Sequence, residues 1–230
     1  MSMLREIIVE APAGAREPEV SAIGERVARQ GVPRKRMLHD EQIHALVQQL
    51  FFRTEAGLVR HVGFAAVEDS TATAGLCLEV AQSVAQEGRY DVGLIDAHSD
   101  PVLLQTQLQI PSPAHAPTTW PMAPRLWMVP RQSWLPKLEE QRITEQSLSR
   151  LRDLMTEFDF SILWCAPVSW LTASVGQACD GLVIVLTANK TRRLVAAQVK
   201  EEMSKAQVPL LGTVLAGRRF PVPQGLYRNL

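Results

Sequence analysis

The chain has 230 residues, 46% hydrophobic and 21% charged, which is enough apolar mass for one sizeable core. Lysine plus arginine and aspartate plus glutamate each total 24, so no net charge draws the protein to nucleic acid. No run reaches the roughly 18 apolar residues of a membrane span, and the charged start MSMLREIIVEAPAGAREPE makes a poor secretion signal.

The cysteines Cys77, Cys165 and Cys179 lie in apolar segments, at spacings that suit neither zinc nor a disulfide framework. They read as buried thiols in a reducing compartment, which makes the cytoplasm the expected location. Residues 1–39 read as an extension or linker rich in Pro, Gly and charge. Its basic cluster Pro33-Arg34-Lys35-Arg36 is either a solvated linker or a contact for acidic lipid or a partner.

Residues 40–230 read as one domain that opens on a helix over 40–52. There DEQIHALVQQLFF places Ile43, Leu46, Val47, Leu50 and Phe51 on one face, with Asp40 as the expected N-cap. Strand and helix patterns then alternate. GLVRHVGFAAV is a strand, TAGLCLEVAQSVAQEG a helix, and YDVGLIDA a short strand ending near Asp96. A Pro-rich loop from Ile110 to Pro124 precedes the strand RLWMVP and the helix ITEQSLSRLRDLMTEF. FDFSILWCAPV, GLVIVLTA and PLLGTVLAG are further strands, separated by the helices SWLTASVGQACD and NKTRRLVAAQVKEEMSKAQ. Short Val/Ile/Leu-rich strands without two-residue alternation predict an α/β fold of three layers, a mostly parallel sheet with helices on both faces.

In such sheets ligands sit beyond the carboxyl ends of the strands, after Val67, Asp96 and Leu163 in this sequence. The first loop, VEDSTATAG, has no glycine before Gly75 and no lysine, and Glu68 and Asp69 would repel a polyphosphate. The hydroxyls of Ser70, Thr71 and Thr73 suit a helix cap or a small anion. At the second loop, Asp96, His98 and Asp100 form either a sparse metal site or an ordinary strand-end turn. His39, His44, His61 and His115 show no ligand spacing. At the third, Trp164 and Cys165 stand where a metal-dependent phosphoryl-transfer site would need a carboxylate, and neither holds magnesium. A buried tryptophan filling the core is the simple alternative.

Read without a gap, VGFAAVEDSTATAGLCLEVAQSVAQEG resembles the Walker A strand, loop and helix of the bacterial tyrosine kinases of polysaccharide export. These are the CpsD/CapB/Wzc-type kinases, relatives of the MinD and ParA P-loop ATPases. VGLIDAHSDP resembles the family's second acidic motif, and FDFSILWCAPV its Walker B strand. CDGLVIVLTANKTRRL and PLLGTVLAGRRFPVPQGLYRNL resemble its last strands and tail, and DEQIHALVQQLFF its ring-forming helix.

The resemblance implies a P-loop NTPase-like fold with a degenerate site. It puts the phosphate-loop glycines at Ser70 and Ala72, the catalytic lysine at Thr73 and the magnesium hydroxyl at Ala74, with Thr71 within the same vestigial loop. Asp96 is retained from the second motif, the next acidic position is His98, and Trp164 replaces the Walker B aspartate. On the ring helix Glu41 is kept, while the two arginines become His44 and Val47; the tail keeps one tyrosine, Tyr227.

The resemblance therefore implies a catalytically inactive kinase-like protein with no cofactor, acting by binding in exopolysaccharide biosynthesis or export. Its expected partner is a protein, either an active kinase or a membrane polysaccharide chain-length regulator, or else a second copy. That partner would recruit it from the cytoplasm to the inner face of the membrane. The alternative is a nucleotide-dependent switch like MinD or ParA, completed by a partner subunit. Lys190 with Arg192-Arg193, and Arg218-Arg219, are candidate contact surfaces or solvated faces.

Overall fold

The computed structural model describes residues 38–52, 58–68, 71–98, 104, 119–135 and 143–217. Seven strands form one sheet in the order β3-β4-β2-β5-β1-β6-β7. They are β1 (His61–Ala66), β2 (Val92–Ala97), β3 (Trp120–Ala123), β4 (Leu126–Val129), β5 (Phe160–Cys165), β6 (Gly181–Thr187) and β7 (Leu210–Ala216). Every neighbouring pair is parallel except β3 with β4. The helices are α1 (Asp40–Val47), α2 (Thr71–Gln86), α3 (Glu145–Thr156), α4 (Trp170–Ala178) and α5 (Arg193–Lys205).

The sheet separates two cores, as the continuous apolar strands predict. On one face, Ile43 and Val47 of α1 and Leu76, Val80 and Val84 of α2 cover Phe64, Leu94 and Ile162. On the other, Leu151 of α3, Val175 of α4 and Val199 and Met203 of α5 cover Ile95, Leu163 and Ile184. Central strands thus bury alternate side chains in both directions.

Three details differ from the sequence-based expectation. The helix over 40–52 is α-helical only to Val47 and ends in a π turn, Gln48–Phe52. Phe51 and Phe52 both meet Phe160, with centroids 5.3 and 5.7 Å away, and Tyr90 closes the cluster at 4.9 Å from Phe160. The wider turn sets two adjacent rings against one partner, a task a regular 3.6-residue period does poorly. Second, the N-cap is His39, not Asp40: the His39 backbone N–H donates to Gln42 Oε1 at 3.0 Å, and Asp40 is the first helical residue.

Third, the segment read as a Pro-rich loop ending at Pro124 contains β3, which returns antiparallel on β4. Pro121 lies exposed in this edge strand, where its missing N–H breaks no ladder bond inside the sheet. Arg125 takes the left-handed backbone conformation in the turn (φ 58°). Its guanidinium reaches Asp91 Oδ1 at 2.9 Å, and its carbonyl accepts the Val92 N–H at 2.9 Å, fixing the hairpin beside β2.

Two glycines give opposite expectations. A Cβ on Gly181 would lie 2.9 Å from the Pro209 carbonyl oxygen, which already accepts the Leu182 N–H at 2.8 Å. Gly181→Ala should therefore lose about 1–3 kcal/mol of stability in urea unfolding through overpacking. A Cβ on Gly75, inside α2, meets nothing within 4 Å. Gly75→Ala should gain about 0.5–1 kcal/mol in the same measurement, from helix propensity and lost unfolded-state freedom.

Candidate functional site at the carboxyl end of the sheet

β1, β5 and β2 are neighbours, and their register sets Phe64, Trp164 and Asp96 side by side near their carboxyl ends. All three are fully buried. Parallel neighbours in register present their side chains to the same face, here the face covered by α2. His98, two residues beyond Asp96, returns to that face and stacks on Trp164, with ring centroids 4.4 Å apart and planes 15° apart. Aromatic contacts of this kind add about 0.5–1.5 kcal/mol beyond the area they bury.

The turn after β2 is tied down on both sides. Asp96 Oδ1 accepts the His98 backbone N–H at 3.0 Å, a local bond typical of an aspartate at a strand end. From the segment after β4, Trp134 Nε1 donates to the Asp96 carbonyl at 2.9 Å, and Arg131 Nη1 donates to the His98 carbonyl at 3.2 Å. Arg131 and Trp134 are themselves buried. Aspartate, histidine and arginine are thus woven into one buried polar corner whose backbone is held by side chains. Neither Arg131 nor Trp134 is singled out by sequence motif. Their one sequence signal is position, directly beyond the end of the strand that pairs with β2.

Of the remaining predicted residues, Thr73 and Ala74 lie in the first turn of α2 and are buried, and Ala72 is exposed. Thr71 begins that helix, while Ser70 lies outside the described residues, as do Asp69, Asp100, His115, Arg218, Arg219 and Tyr227. On α1, Glu41 and His44 are exposed, whereas Val47 is fully buried against the core and does not share their surface. His39, His44 and His61 are placed on α1 and at the start of β1, away from this corner. Among the described residues no three His, Cys, Asp or Glu side chains gather as a metal site.

The resemblance read in the sequence implies magnesium and a nucleotide, and the side chains at the positions it assigns do not suit them. A phosphate loop needs a lysine that reaches outward, but Thr73 is short and only 1% exposed. Ala74 offers no hydroxyl, and the end of β5 carries an indole where a hard oxygen ligand is required. Among the described residues the Trp164 Nε1 has no hydrogen-bond partner, so the ring acts as volume.

The thiols add no reactive centre. Burial pushes Cys165 up to about 12 and holds Cys77 and Cys179 well above the ordinary thiol range. Their thiolate, the nucleophilic form, is therefore scarce near neutral pH.

A scan against protein-family models finds no match, and no curated protein matches by sequence. Solved structures do match. The chimerical protein CapA2B2 superposes with a TM-score of 0.63 at 15% identity, over 84% of this chain and 88% of the other. The kinase domain of the Escherichia coli tyrosine kinase ETK gives 0.63 at 16% identity, over 80% and 78%. The ParA family ATPase from Chlorobium tepidum gives 0.57 at 14%, over 74% and 78%. The chain therefore has the α/β fold shared by bacterial tyrosine kinase domains and ParA-type P-loop ATPases.

Trp164→Ala should lower the unfolding free energy by about 3–5 kcal/mol, measured by urea denaturation, because a fully buried ring leaves a cavity. Trp164→Phe should lose less, since a ring remains to stack on His98. A loss under about 1 kcal/mol for the alanine variant would mean that the ring is not a packing element.

Proposed function

We propose that this chain is a non-catalytic relative of the bacterial tyrosine kinases that works by binding a protein partner in exopolysaccharide production or export. The observation that carries this reading is Trp164. It fills the carboxyl end of the sheet between Phe64 and Asp96, where phosphoryl transfer needs metal-binding oxygen. Phosphoryl transfer is mostly charge neutralisation and positioning, and the lysine, hydroxyl and carboxylate that supply it are absent from Thr73, Ala74 and Trp164 together.

The fold itself is kept at full strength. Both cores are filled, and the carboxyl ends of β2 and β5 are packed with aromatic and hydrogen-bonded residues. Such a protein retains surfaces rather than chemistry. The exposed Glu41 and His44 of α1 are the side chains through which a second copy or a heterologous partner would be met. The polysaccharide context rests on the likeness to kinase domains, and among the described residues no helix is long and apolar enough to cross a membrane.

Isothermal titration calorimetry with ATP and magnesium should give no binding heat at millimolar nucleotide. Installing Ser70→Gly, Ala72→Gly and Thr73→Lys together should not restore hydrolysis while Trp164 remains. Micromolar affinity in the unaltered protein, or ATP-dependent dimerisation in light scattering, would replace this reading with a nucleotide switch.

A further inference from the structure

α4 and α5 both begin at the carboxyl end of the sheet, α4 after β5 and α5 after β6. These two strands are separated by β1 alone. Both helices pack on the same face, through Val175 of α4 and Val199 of α5. Their far ends are joined by Gln177 Nε2, which donates to the Ala206 carbonyl at 2.7 Å. Both helices therefore run in one direction on one face, and their first turns emerge on that face at the carboxyl end of the sheet.

This region is both apolar and cationic. Trp170 is 57% exposed, Leu194 83% and Val195 37%. Around them Lys190, Arg192 and Arg193 are exposed. Among the described residues none of the three cations has an ion-pair partner. No carboxylate occurs in 163–179 or in 188–200; the exposed acids at this end include Glu68, after β1, and Glu145, at the start of α3 and paired with Arg152. The chain as a whole is neutral, so this excess of positive charge is local.

We infer that this corner, Trp170, Leu194 and Val195 ringed by Lys190, Arg192 and Arg193, docks on an anionic phospholipid surface. An indole and two aliphatic side chains at helix starts project outward, as insertion into the headgroup boundary requires. The long cationic side chains lie beside them, able to hold lipid phosphates while the apolar tips enter. The positive ends of two helix dipoles face the same way and add to the potential. A protein interface of ordinary size would bury about 800 Å² on each partner, more than three separate apolar side chains supply. Lipid docking is independent of nucleotide binding and stands or falls apart from the reading of Trp164.

The test uses the full chain and vesicles of phosphatidylcholine, with or without about one third phosphatidylglycerol. The protein should co-sediment with the anionic vesicles and not with the neutral ones. Binding should fall about tenfold or more as salt rises from roughly 0.1 to 0.5 M. Trp170→Ser with Leu194→Ser should weaken binding about tenfold or more, and so should Lys190→Gln, Arg192→Gln and Arg193→Gln combined. The altered side chains are exposed, so circular dichroism should show unchanged folding; Leu194→Gln alone serves if the double variant misfolds. The inference is overturned if anionic vesicles are not bound, or if both surface variants bind as well as the parent. It is equally overturned if binding is lost only when Arg34, Lys35 and Arg36 are neutralised, or if an acidic protein binds this corner while vesicles do not.

Discussion

Trp164 stands on the middle one of three adjacent strands, with Phe64 on one side and Asp96 on the other. A side chain of that size, fully buried, removes roughly 150–250 Å² from water, which corresponds to about 4–6 kcal/mol of favourable burial. Its side chain lies on the face of the sheet that α2 covers. His98 lies flat against the ring, and short Thr73 and Ala74 are buried in the first turn of α2.

A fully buried ring beside buried polar groups raises the question of how those groups are satisfied. Asp96 is the instructive case. A buried carboxylate is tolerated only where hydrogen bonds replace water. Here its Oδ1 accepts from the His98 N–H, and the surrounding carbonyls of residues 96 and 98 take donors from Trp134 and Arg131. This aspartate shapes a turn. The corner is best understood as a rigid brace between β2 and the segment after β4.

The layered architecture was legible because strands buried on both faces have little choice but to be continuously apolar, as GLVIVLT and FSILWC are. Helix identities were equally plain for α2 and α5, long segments of even pattern. What could not be read was anything set by a distant partner. The π turn exists because Phe160 receives two rings, a fact of strand β5 and not of the helix sequence. β3 was hidden by Pro121, which argues against a strand unless the strand is known to lie at an edge. At the site, Asp96, His98 and Trp164 were visible as unusual residues at strand ends, but their contact was not, because it depends on the register of β2 with β5. Arg131 was invisible because its contact depends on the pairing of β4 with β2.

The central claim is that Trp164 occupies the nucleotide's place and does not merely line it. A crystal structure grown with a non-hydrolysable ATP analogue and magnesium addresses this directly. The account predicts Trp164 stacked on His98, as here, with no nucleotide between α2 and the strand ends. A nucleotide with its phosphates around the start of α2, and Trp164 swung aside to admit it, would contradict the account.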